Sequence, residues 1–387
     1  MDRPVRPRLA SLSDFQFGAV ATETIEDALL HFAQQNEQAV QESAGRMGSF
    51  RETRIVEFVF LLSEQWCLEK SVSYQAVEIL ERFMIKQAEN ICRQASIQLR
   101  EKTEPQNWRA LKEQLFNKFI LRLVSCVQLA SKLSFHYKKI SNVTVLNFLQ
   151  ALGYLHTKEE LLESELDVLK SLNFQVNLPT PLAYVEMLLE VLVDLQLQRF
   201  LTVEHGNQEA HEQLNSFVSH DNCDYDQRRG YIMLFTMRIL HLGYNGCLVP
   251  ATQLYATCLT LLDLVYLLHE PVYESLLRAS IENSTPSQLQ GEKFISVKED
   301  FMLLAVGIIA ASAFIQNHEC WSQVAGHLQS ITGIALESIA ELSYAILTHS
   351  VGASTPGRQR PVPPHLVAGA LRAATSPTHE AGGIHPK

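Results

Sequence analysis

Two charged side chains stand where the pattern of the chain asks for apolar ones. Glu165 has Leu161 and Leu162 one turn before it and Val168 and Leu169 one turn after it, so its carboxylate projects from the apolar stripe of a helix. Lys132 is the sole formal charge between Arg122 and His136, in a run that carries Phe119, Ile120, Leu123, Val124, Val127, Leu129 and Leu133. A charge in such a place is costly unless it is paired and hydrogen-bonded, and the economical outcome is that these two meet. Two uses of the pair are open. One is a buried salt bridge or a lysine whose stem lies along apolar surface while its head reaches water. The other is a protein-binding spot, because an ammonium offers three donors and a carboxylate offers acceptors to the unpaired backbone groups of a partner.

Other chemistry is sparse. There is no Gly-rich phosphate loop, no nucleophile elbow and no carboxylate pair set apart from helical surface charge, so a protein without catalytic activity is expected. His220 and Cys223 lie beside Asp221, Asp224 and Asp226. Without a CxxC or HxxxH pair this cluster reads as a polar loop, and neither a metal nor a cofactor is expected. The seven cysteines, odd in number and widely spaced, read as reduced core thiols rather than a disulfide framework. Met1 to Leu12 is rich in Arg and Pro with no apolar run, unlike a secretory signal. Phe301 to Ile315 is too short for a membrane span and reads as a buried helix. These features together place the chain in the cytosol or nucleus.

The elements that must position Lys132 and Glu165 are helical. Of the 387 residues, 47% are apolar and 19% charged, which is enough apolar material for a sizeable core. The 32 Lys and Arg against 42 Asp and Glu leave a charge of −10, which disfavours non-specific nucleic-acid binding. The length suggests two domains. Spacings of three and four dominate and strand-like alternation is nearly absent, so the fold class is all-α. A first amphipathic helix carries Ile25, Leu29, Phe32, Asn36 and Val40, after Thr24-x-x-Asp27 and before a break at Ala44 to Gly48. Five segments follow: Arg51 to Cys67, Tyr74 to about Leu99, Leu111 to Phe135, Val143 to Leu152, and Lys158 to Leu172. Thr157-x-x-Glu160 is a capping box for the last, and Asn173, Asn177, Pro179 and Pro181 end it. A linker helix, Leu182 to Leu201, leads to a polar loop, Glu204 to Arg229.

The plan then repeats over Tyr231 to Leu242, Pro250 to Leu268, Lys298 to Ile315, Trp321 to Leu328 and Leu336 to Leu347. Leu129-Ala-Ser-Lys-Leu133 lies over Ala310-Ala-Ser-Ala-Phe314, and Leu169-Lys-Ser-Leu172 over Tyr344-Ala-Ile-Leu347. Ala313 and Ala340 therefore stand where the first copy has Lys132 and Glu165. If the pair only held the unit together, the second copy would be expected to keep it. The expected organisation is an arm and helix over 1–48, a first box over 49–178, a linker helix and degenerate second repeat over 179–350, and a disordered tail over 351–387. The tail holds Pro361-x-x-Pro364 and the dipeptides Thr355-Pro356 and Ser376-Pro377, candidates for proline-directed phosphorylation.

Leu80-Glu-Arg-Phe-Met84, Leu129-Ala-Ser-Lys-Leu133, then Glu165 with Leu169-Lys-Ser-Leu-Asn-Phe174 and Pro179-Thr-Pro181, resemble the cyclin box. The likeness is most specific from Arg51 to Pro181 and continues as a degenerate second box. In detail the chain resembles the cyclin N-terminal domain-containing proteins, a meiotic branch tied to crossover maturation. The resemblance implies tandem five-helix boxes, a cyclin-dependent kinase as partner, and a chromosome-associated nuclear location. It assigns Lys132 and Glu165 to polar contacts with the kinase's mobile regulatory helix. A kinase-independent scaffold for recombination or ubiquitin-ligase factors is the alternative; direct nucleic-acid and membrane partners are not expected. Typical cyclins keep an Arg and a Trp in the first box helix and an Asp before Arg-Phe in the second. Aligned without gaps from Trp66, the Trp position here holds Phe58, the Arg position Glu52 and the Asp position Glu81, with Arg51 and Arg54 out of register. On that register the internal Arg–Asp bridge and a substrate-docking groove are both left open. Arg6-x-x-Leu9, followed by Asp14, resembles a destruction box read by a ubiquitin ligase.

Overall fold

A computed structural model describes residues 22–43, 49–101, 108–134, 140–203, 251–280 and 294–352, and every regular element among them is a helix. The all-α expectation holds. Several expected features lie outside the described residues: Arg6, Leu9 and Asp14, the 44–48 break, His220 with its neighbouring acids, Cys223 and Cys247, the 231–242 segment, and the proline motifs after 353. The chain falls into two compact units, one within Gly48–Leu178 and one joining Met1–Met47 to Pro179–Ser354.

The first unit contains α2 (Thr53–Gln65), α3 (Lys70–Glu101), α4 (Trp108–Phe116), α5 (Phe119–Leu133), α6 (Asn142–Ala151) and α7 (Lys158–Ser171). α5 is its axis. From Phe119 to Ser131 every residue but Arg122 is buried, as a helix apolar on all sides must be, and α2, α3 and α7 pack around it. Polar residues inside α5 fix its neighbours. The Ser125 hydroxyl lies 2.9 Å from Ser164 Oγ on α7, and Gln128 Nε2 donates to Asn142 Oδ1 at 2.6 Å at the start of α6.

The continuous helix expected from Leu111 to Phe135 is two helices. Lys118 adopts a left-handed conformation (φ 55°) between α4 and α5, and Arg122 Nη1 donates back to the Leu115 carbonyl at 3.3 Å. The apolar stripe runs on from Leu115 and Phe116 to Phe119 and Ile120 without a Gly or Pro to mark the break, so periodicity alone joined them.

Helices α2, α6 and α7 end alike. Cys67, Gly153 and Asn173 take positive φ, and the residue after each donates its N–H back to Ser63, Leu149 and Leu169 respectively. The Thr157–Glu160 capping box is formed at the start of α7, with both reciprocal hydrogen bonds in place.

The second unit contains α1 (Thr22–Ser43), α8 (Pro181–Val203), α9 (Ala251–Leu267), α10 (His269–Ser280), α11 (Phe301–Gln316), α12 (Trp321–Thr332) and α13 (Leu336–Gly352). α11 is its buried axis, against α8, α9, α12 and α13. No described helix is long and apolar enough to cross a membrane. α10 was not expected; the sequence pattern ended a single helix at Leu268, where the chain turns and continues as a second one. α1 packs on α8 and α11 through polar contacts. Asn36 donates to Asp300 Oδ1 at 2.8 Å and accepts from the Met302 N–H at 3.1 Å, capping the start of α11 beside Asp300 itself. Tyr184 donates its hydroxyl to the Phe32 carbonyl at 3.3 Å; burial, reinforced by Asp300, pushes its pKa up to about 12 and keeps it a donor.

Candidate partner-binding site

Lys132 sits in the last turn of α5, where the helix dipole favours a cation, and Glu165 lies in the middle of α7. The Ser125–Ser164 contact, two turns back along the same face of α5, sets the register that brings them together. The ammonium reaches both carboxylate oxygens of Glu165, at 2.5 and 2.7 Å. The two ends differ in exposure: the Glu165 side chain is 7% exposed and that of Lys132 38%. A buried carboxylate thus anchors an ammonium that faces out. Among the described residues Glu165 takes all the hydrogen bonds Lys132 Nζ makes, which leaves a third N–H for a ligand.

The surface beside the pair is apolar. Leu161 and Val168 point into the core, but Leu162 and Leu166 are exposed and Leu169 is half-buried. The apolar stripe of α7 is therefore wider than the core it covers, and the ion pair lies along the boundary between its buried and exposed parts.

Sequence reasoning missed a second charged set. Arg51, almost wholly buried, places Nη2 2.7 Å from Glu78 Oε2 and Nη1 4.0 Å from Glu81 Oε1. Glu81 also accepts from Ser49 Oγ at 2.8 Å and from the Phe50 N–H at 2.7 Å. An internal bridge, which the register had left open, is present, made by an arginine just ahead of α2 and by carboxylates one turn apart on α3. The signal was available in Glu78 and Glu81, spaced by three within Val77, Ile79, Leu80 and Phe83. Next to Glu81, Arg82 donates Nη1 to the Gln175 carbonyl at 2.6 Å, and Gln75 Nε2 donates to the Val176 carbonyl at 2.6 Å. One helix, α3, thus fastens the segment before α2 and the segment after α7. Phe58 takes the tryptophan's place as a buried aromatic, 6.3 Å from the Phe148 ring.

No group of His, Cys, Asp and Glu suited to a metal occurs among the described residues. Cys126 is free and buried, and burial pushes its thiol pKa far up against the opposing influence of Arg82 and Arg122. Burial likewise raises Cys258 to about 12, so neither thiol is a nucleophile at neutral pH. Cys67 and Cys92 are exposed, against the expectation of core thiols. Cys320 corrects the expectation of reduced thiols throughout, since it is disulfide-bonded.

A helical box built around one buried helix, with its fifth helix laid against the third and a lysine–glutamate pair at their shared edge, is the box of a cyclin-like protein. The family model of the cyclin N-terminal domain matches residues 29–177, from within α1 to the end of the first unit. The chain is 75% identical over 377 residues to "Cyclin N-terminal domain-containing protein 1" of Mus musculus, covering 97% of this chain and 98% of that protein. It is 74% identical to the protein of the same name from Homo sapiens, over 97% and 99% of the two chains. The chain belongs to the cyclin N-terminal domain-containing protein family.

Proposed function

We propose that the chain is a non-enzymatic regulatory subunit that binds a cyclin-dependent kinase through its first unit. Lys132 and Glu165 contact the kinase's mobile regulatory helix. The observation that carries this reading is the outward-facing ammonium, held on a buried carboxylate beside exposed Leu162 and Leu166. Such a spot offers charge-assisted hydrogen bonds to backbone groups at a helix end and apolar area to the side chains next to them. The mechanism is differential binding: the subunit stabilises the kinase conformation in which its catalytic Lys–Glu pair is assembled. The resemblance to a meiotic branch supports a nuclear role in meiotic recombination, promoting crossover maturation.

Co-purification with a panel of cyclin-dependent kinases tests the kinase reading. At least one kinase is expected to bind the wild-type chain, and Lys132→Ala and Glu165→Ala to weaken that binding by about tenfold or more. Undiminished binding by both variants at unchanged stability removes the pair as contacts. In meiotic cells, Lys132→Ala is expected to lower crossover number; an unchanged count separates the kinase site from recombination.

A further inference from the structure

Leu162 and Leu166 have different neighbours on their two sides. At 3.6 residues per turn, Glu165 and Leu169 flank them on the side of Lys132, while Glu159 and Glu163 flank them on the other. Glu159 and Glu163 are exposed and make no ion pair among the described residues. The next acid around, Asp167, is met by Arg122 at 3.8 Å, and the cation on that flank of α7 is Lys170, in its last turn. The exposed leucine ridge therefore has the Lys132–Glu165 pair on one bank and two uncommitted carboxylates on the other. The carboxylates are concentrated in the first half of the helix.

We infer that this face of α7 selects an amphipathic partner helix whose apolar ridge carries basic residues along one flank, opposite Glu159 and Glu163. The inference rests on the kinase-binding reading and adds what discriminates among kinases and fixes direction. A helix with acids on that flank is repelled. A helix with bases there is held only in the orientation that brings its free backbone end to Lys132, because reversing it moves the bases away from the carboxylates. Exposed charges at a rim act mainly on encounter and on partner choice, and their effect is screened by salt.

The test measures affinity of the full chain for each kinase of the panel that the wild type captures, at low and at physiological ionic strength. Glu159→Lys with Glu163→Lys is expected to weaken binding by about tenfold at low salt, with the effect shrinking as salt rises. Lys170→Glu is expected to tighten it, and a basic-to-acidic change on the partner's flank to restore binding to the reversed double variant. All three positions are exposed, and circular dichroism checks that each variant is folded. If the double reversal leaves affinity unchanged while Leu162→Ser and Lys132→Ala weaken it, the inference falls and the kinase reading stands. If the wild-type chain captures no kinase, both fall.

Discussion

The helix pair α5–α7 of the first unit and the pair α11–α13 of the second solve one packing problem in opposite ways. In the first unit α5 meets α7 through hydroxyls, and at the edge through Lys132 and Glu165. In the second unit α11 meets α13 through small residues. Gly307 comes so close that a Cβ there would stand 2.7 Å from Leu342 Cγ and Cδ2, and Ser343 donates to the Gly307 carbonyl at 3.2 Å. Ala313 is fully buried where Lys132 has its counterpart. Where α7 exposes Leu162 and Leu166, the same alignment puts exposed Glu337 and Glu341 on α13. One helix pair presents a charge beside a leucine ridge; the other approaches closely at Gly307 and exposes Phe314, Ile315 and Tyr344 without a charge among them. The side chains at the edge between two packed helices thus differ between the units, an outward-facing charge in one and buried small residues in the other.

Breaking the internal charges of the first unit has the largest expected effect. Arg51→Ala takes the guanidinium away from buried Glu78 and Glu81, which costs about 3–5 kcal/mol. Chemical denaturation should show the loss, with exchange protection falling in α2 and α3. An unchanged midpoint means the bridge contributes nothing net. The matching break in the second unit is Gly307→Ala. The added methyl meets Leu342 at its branch atom as well as at a terminal methyl, so turning the tip aside is not enough and the helix pair must part, at about 1–3 kcal/mol. That exceeds the roughly 0.5–1 kcal/mol that alanine gains over glycine within a helix. A stabilised variant would show that the α11–α13 approach is slack.

The units are also expected to respond to acid with opposite sign. The Thr157 N–H, aided by His156, holds the Glu160 carboxyl below its ordinary value. Its contribution is therefore complete above that ordinary value and disappears as pH falls through the lowered one. Glu186 on α8 is pushed up, chiefly by burial, with the Tyr255 hydroxyl at 2.7 Å opposing. The folded second unit favours its neutral form, so this contribution is present below the ordinary carboxylate value and lost as pH rises through the raised one. Glu186→Gln should thus be near neutral in acid and stabilising at neutral pH. Melting curves of this variant and of Glu160→Gln across acid pH check it; parallel shifts in both would erase the contrast.

Periodicity and capping chemistry made most of the fold legible. The α7 start was readable because Thr157 and Glu160 cap each other locally, and Lys132 and Glu165 were readable as a pair because charge is scarce in α5 and out of place in α7. The hidden parts depend on tertiary context. The α4–α5 break is carried by Lys118, a residue with no turn preference, and by a carbonyl taken up by Arg122. The α9–α10 corner carries Pro271 in the first turn of α10, which marks the break but does not by itself announce that a helix resumes there. The buried arginine was missed because a gapless register assigned its role to Glu52, whereas the chain ahead of α2 brings Arg51 to Glu78. The exposure of Leu162 and Leu166 was invisible too, since their spacing is that of core residues.

The smallest expected effect lies at the helix ends. In the second unit α12 stops at Gly333 (φ 72°) and in the first α6 stops at Gly153 (φ 87°), where the backbone suits glycine, whereas α2 stops through Cys67 at φ 52° and α7 through Asn173 at φ 50°. Left-handed backbone costs an ordinary L-residue about 1–2 kcal/mol, and glycine avoids that while giving up about half to one kcal/mol in chain entropy. Asparagine offsets part of the cost by local hydrogen bonding; cysteine does not. Cys67→Gly should therefore stabilise the first unit by about 0.5–1 kcal/mol and Asn173→Gly by less, read as small rises in melting temperature. If Cys67→Gly is destabilising instead, the exposed thiol is making a contribution that backbone geometry does not explain, and the likeness of the three helix ends in the first unit is only one of shape.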